Sequence, residues 1–79
     1  MAFYIKITKV ETNENTVRYR FEAENGREGL FDFKSSDGAV ELVKAMEGDG
    51  NEHCFKRAAA KIYKEWKNGN LPDEAEWAS

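Results

Sequence analysis

The sequence predicts an α+β domain, a four-stranded antiparallel meander with one C-terminal helix packed on one of its faces. Three observations carry this. Residues 16–24 alternate apolar and polar side chains without a fault, as a half-buried strand does. The Asn25-Gly26 pair that follows is a hairpin signal leading into a second aromatic-rich run. Further on, Phe55, Ala58, Ala59, Ile62 and Trp66 fall at i, i+3, i+4, i+7 and i+11, one helical stripe roughly 100° wide.

The first strand spans about 3–11, where Phe3, Ile5 and Ile7 alternate with Tyr4, Lys6 and Thr8. The second is 16–24 and the third 28–34. Parity fixes their register, because a two-residue loop at Asn25-Gly26 would mix the faces. A three-residue loop Glu24-Asn25-Gly26, with Gly26 left-handed, instead sets Phe21 opposite Gly29, Tyr19 opposite Phe31 and Val17 opposite Phe33. Gly29 then leaves space for the Phe21 ring. The same test on the first turn gives a loop Thr12-Asn13-Glu14, with Ile7 opposite Tyr19 and Ile5 opposite Phe21.

Residues 39–46 fit both a helical and an alternating pattern. A four-residue loop Ser35-Ser36-Asp37-Gly38 resolves the choice toward a fourth strand, about 39–45, with Val40 opposite Phe33 and Leu42 opposite Phe31. The inner face is then Phe3, Ile5, Ile7, Val17, Tyr19, Phe21, Phe31, Phe33, Val40 and Leu42. The helix, about 51–68, starts at a capping box formed by Asp49 and Glu52, with Asn51 as the alternative cap. It stops at Asn68-Gly69, with Pro72 beyond. Residues 69–79 form a tail.

The 79 residues make one domain. A single cysteine excludes an intramolecular disulfide, and with one histidine it leaves too few soft ligands for structural zinc. No metal and no cofactor is expected. Lys6 and Lys9 interrupt the first ten residues, which therefore resemble neither a signal peptide nor a membrane span, and a cytoplasmic protein is expected. Net charge is −3, divided as −3 over 1–50, +3 over 51–68 and −3 over 69–79. A basic helix between acidic segments points to internal balance and counts against a nucleic-acid surface.

No Asp-x-Asp, His-Glu-x-x-His or glycine-rich phosphate loop is present, so no catalytic residue is assigned. His53 and Cys54 lie in the first helical turn, where the dipole can lower a thiol pKa, but adjacent side chains point about 100° apart and packing is the simpler role for Cys54. A thiol-dependent enzyme or redox protein using Cys54 and His53 is one alternative function, and a nucleic-acid binder using the basic helix face of Arg57, Lys61 and Lys64 is another. The outer sheet face is the preferred site. Tyr4, Arg18, Arg20, Leu30, Asp32 and Val43 would line it, exposed Tyr and Arg around a small apolar centre, as suits a protein partner or a homodimer. Trp77 joins this set, since a polar tail carries a tryptophan only where the ring docks, on its own domain or on a partner.

The Tyr4-Ile5-Lys6-Ile7 opening, the Asn25-Gly26 hairpin, the Arg57-Ala58-Ala59 helix core, the turn from Trp66 to Asp73 and the Trp77-Ala78-Ser79 ending resemble small bacterial proteins of unknown function. Some of those resemble immunity proteins of toxin systems. The resemblance implies a bacterial cytoplasmic setting and brings no catalytic motif. A non-enzymatic protein-binding module is the function expected, one version being an acidic chain that neutralises a basic partner.

Overall fold

The computed structural model describes residues 4–24 and 26–78. Phe3, Asn25 and Ser79, used above for the inner face, the hairpin loop and the chain ending, lie outside the described residues. The elements are β1 (Tyr4–Thr12), β2 (Thr16–Ala23), β3 (Glu28–Lys34), β4 (Val40–Lys44), α1 (His53–Lys67) and β5 (Glu74–Ala78), with a 3-10 turn at Gly50–Glu52 before the helix. The architecture is α+β, but the antiparallel sheet has five strands in the order β4-β3-β2-β1-β5, not four. The segment expected as a tail supplies the fifth. Its pairs Ile5 with Trp77 and Ile7 with Ala75 put Ala75 and Trp77 on the helix side, and the strand closes the β1 edge that a meander would leave open.

The β2–β3 register is the expected one, Phe21 with Gly29, Tyr19 with Phe31 and Val17 with Phe33. Gly26 takes φ +85°, and the Ala23 amide donates to the Arg27 carbonyl to close the turn. Residues 40–44 are a strand, with Val40 opposite Phe33 and Leu42 opposite Phe31. Two registers differ from expectation. Ile7 faces Phe21 and Ile5 faces Ala23, not Tyr19 and Phe21. The reason is a tighter turn: Thr12 pairs with Val17 and the Asn13 amide donates to Thr16, which leaves Glu14-Asn15 as the loop. That loop alone would turn the wrong face inward, and an irregularity between Lys9 and Glu11 restores the parity by leaving Val10 as an extra, 51% exposed residue. In β4 a second irregularity pairs Leu30 with Lys44, so Val43 does not sit beside Leu30 as expected.

Ile5, Ile7, Tyr19, Phe21, Phe31, Phe33, Ala58 and Ile62 are fully buried, joined by Val17, Met46 and Cys54. Tyr19 and Phe31 stack at 5.7 Å, and Phe55 meets Phe31 edge-on at 5.9 Å. Val40 and Leu42, expected in this core, are 37% exposed and half-buried. Geometry explains this: strands spaced about 4.8 Å apart make a five-strand sheet wider than one helix of about 10 Å diameter can cover. The helix lies over β1, β2, β3 and β5, and β4 protrudes.

The helix stripe is the expected one. Its start is not, because no capping box forms. The Asp49 carboxylate reaches over the intervening turn to accept from the amides of Cys54 (2.9 Å) and Phe55 (3.2 Å), and Asn51 and Glu52 take left-handed φ of 60° and 56°. At the far end Gly69 donates to Trp66 and Asn70 to Glu65, the paired bonds of a Schellman motif with Gly69 at φ +82°. The chain then crosses Leu71-Pro72-Asp73 to reach β5. Three bonds fasten this crossing: the Lys9 ammonium donates to Leu71 O (2.9 Å), the Lys9 amide to Asp73 O (2.8 Å) and the Tyr19 hydroxyl to Pro72 O (2.9 Å). Burial first, then the Asp73 charge, pushes the Tyr19 phenol up to about 12, so it stays a donor through the neutral range.

Candidate functional site

The outer sheet face has no second layer among the described residues. Alternation along the strands puts Tyr4, Arg18, Arg20, Leu30 and Asp32 on it together. Their charges are largely satisfied within the sheet. Arg18 grips Asp32 through Nε to Oδ1 (2.8 Å) and Nη2 to Oδ2 (3.2 Å), and Arg20 lies 3.7 Å from Glu28. The Tyr4 phenol is held above its ordinary pKa, first by its hydrogen bond to the Glu76 carboxylate. Leu30 is half-buried between Arg20 and Lys44. Val43 is 43% exposed at the β4 irregularity. Trp77 is not part of this group: it lies on the opposite face, half-buried against the core with the Arg57 guanidinium 4.9 Å from its ring centroid.

The thiol alternative is weakened by its surroundings. Cys54 is 5% exposed, and burial, followed by the Asp49 charge, pushes its pKa up, opposite to what a nucleophilic thiolate needs. His53 is exposed beside it. Native Cys54 is expected to react with a small alkylating reagent at pH 7.5 at least about tenfold more slowly than in urea-unfolded protein. Equal labelling rates in the folded and unfolded chain would contradict this. Among the described residues no three of His, Cys, Asp and Glu gather as a metal site.

The basic helix face divides between two flanks. On the β5 side Arg57 covers Trp77, and Lys61 and Lys64 border a cleft with Glu76, Trp77 and Ala78. On the β4 side the helix and the protruding strand enclose a groove of about 460 Å³, lined by Val40, Phe55, Lys56, Ala59, Ala60 and Tyr63. Tyr63 is 40% exposed and Ala60 is exposed, so the groove is apolar and open. Lys67 stands over the Tyr63 ring at 5.8 Å. Gly38 shapes one end, since any side chain there would strike Trp66 (2.7 Å to Cζ3) and Tyr63 (2.9 Å to Cε2).

The strand along this groove is one of the two edge strands of the sheet, β5 being the other. Because the Lys34 amide donates to Ala39 O, antiparallel alternation directs the backbone groups of Glu41 toward β3 and those of Val40 and Leu42 outward. An apolar groove thus runs beside unpaired strand backbone. Sequence reasoning did not find this site. The available signal was Tyr63, four residues after Ala59, which widens the helix stripe on one side only.

No protein-family model, no curated protein and no solved structure matches this chain.

Proposed function

We propose that this chain is a non-enzymatic protein-binding module that takes an extended segment of a partner protein onto the β4 edge. The observation that carries the reading is the conjunction of outward backbone groups on Val40 and Leu42 with the apolar groove under Phe55, Ala59 and Tyr63. An added strand would pair its main chain with β4 and turn alternate side chains into the groove, so backbone bonding supplies affinity and the groove supplies specificity. The outer face supports the reading less well, because Arg18, Arg20 and their carboxylate neighbours already bind one another.

The likeness to small bacterial proteins, some of them immunity-like, fits a partner-binding role in the bacterial cytoplasm. No helix among the described residues is long and apolar enough to cross a membrane. In the immunity-like version an acidic surface would meet a basic partner. Asp73, Glu74 and Glu76 along the β5 edge are the observation favouring it as a second reading.

The test is selection of octapeptides from a random displayed library. Selected peptides are expected to slow hydrogen exchange at the Val40 and Leu42 amides and to lose at least about tenfold in affinity for a Val40→Asp, Tyr63→Glu double variant, whose two sites are partly exposed in the fold. An Arg20→Glu, Leu30→Glu variant of the outer face should bind as the parent does. Peptides that bind the first variant normally and fail on the second would transfer the site to the outer face; no selectable peptide at all would overturn the reading.

A further inference from the structure

We infer that the segment received at the β4 edge carries a lysine or arginine between two apolar residues, with the cation standing opposite Glu41, an inference that rests on the docking reading above and names its partner's chemistry. Strand geometry assigns the positions. An antiparallel strand bonded to the outward backbone groups of Val40 and Leu42 puts one residue between those bonds, opposite Glu41, in the kind of pair where side chains approach most closely. That residue shares the outer face with Glu41, and its two neighbours turn to the groove.

Charge on the outer face decides what the residue is. One row of cross-strand partners reads Glu11, Arg18, Asp32 and Glu41 from β1 to β4, so the signs alternate as far as Asp32 and then repeat. Arg18 is committed to Asp32 through two bonds, and its pKa is raised first by that contact, with Glu11 adding to it from β1. Glu41 is left facing a like charge, a destabilising cross-strand arrangement, and among the described residues no cation lies within ion-pair distance of it. The described strands hold one other such pair, Glu22 opposite Glu28, and it is relieved on both sides: Lys6 faces Glu22, and Arg20 lies 3.7 Å from Glu28. For Glu41 the corresponding position is on the added strand. Lys56 and Lys67 border the groove on the helix side, across the sheet layer from this position. Lys44 stands further along the outer face, opposite Leu30, so a single cation is favoured over a basic run. The same carboxylate disfavours a second copy as the occupant, because pairing two β4 strands through Val40 and Leu42 would set two Glu41 side chains against each other.

Three synthetic octapeptides test this, identical in their alternating valine and serine residues except that one central serine is replaced by lysine, glutamine or glutamate, each titrated into the full chain and followed by fluorescence anisotropy. The lysine peptide is expected to bind about fivefold tighter than the glutamine peptide at low salt and the glutamate peptide most weakly, the differences shrinking as salt rises. Glu41→Gln, at an exposed position and verified as folded by circular dichroism, should bring the lysine and glutamine peptides together. Glu74→Gln removes the same charge from the opposite edge of the sheet and should leave the preference intact. Equal effects of the two substitutions would mean that net charge sets the preference, and would overturn the role of Glu41. If all three peptides bind the parent alike and lose affinity for the Val40→Asp, Tyr63→Glu variant, the groove stands and the basic preference is wrong. If none binds the parent chain, the docking reading falls with it.

Discussion

Ile62→Ala is expected to lower the free energy of unfolding by about 3 kcal/mol, within the range of about 2–5 that large-to-small core changes give. Ile62 is fully exposed to the sheet and not at all to water, lying at the centre of the stripe with Ala58 one turn before it. The two alanines of that stripe, Ala58 and Ala59, bring the helix axis close to the sheet, and Ile62 fills the space that this approach leaves. Surrounding rings cannot collapse into the void, because Phe21, Phe31 and Phe55 are already in mutual contact. Lys64→Ala, on an exposed position, should change stability by less than about 0.5 kcal/mol. Urea unfolding of both variants checks the pair, and similar midpoints would mean that the helix presents a different face to the sheet.

Gly29→Ala is expected to be nearly as damaging, by about 2–3 kcal/mol, through crowding in place of a cavity. A methyl group at this position would overlap the Phe21 ring and stand 2.6 Å from the Lys44 carbonyl oxygen. Neither neighbour can give way. Phe21 is fully buried among other rings, and the carbonyl belongs to the strand backbone. Gly50→Ala is the matched control, since a methyl there meets nothing within 4 Å. Equal urea midpoints for the two variants would show that Phe21 has room that the packing does not reveal.

The parts of this fold legible in the sequence are those governed by period and parity. Gly29 opposite Phe21 followed from counting across one loop, and the helix stripe followed from its spacing. Parity failed where an extra residue entered a strand. Val10 and Val43 leave no sequence signal, since a β-bulge is a backbone irregularity that many residue types tolerate. β5 escaped because Glu74-Ala75-Glu76-Trp77-Ala78 has weak strand propensity and owes its conformation to a partner strand far away in sequence. The candidate site was illegible for a related reason. A groove between a helix and a protruding strand depends on where the helix lies across the sheet, and local pattern contains no term for that.

The crossing at Leu71-Pro72-Asp73, held by Lys9 and Tyr19, carries a consequence for how fast the molecule forms. The hairpins β1–β2, β2–β3 and β3–β4 each join neighbours in the chain, whereas Ile5 and Trp77 must meet across nearly its whole length. Closing so long a loop costs entropy before any contact is gained, so this ladder belongs late on the folding route. On the ribosome the delay is built in, because β1 is made well before β5. Until then the β1 edge stands open, and Lys6 and Lys9 along it act as charged gatekeepers against pairing with another nascent chain.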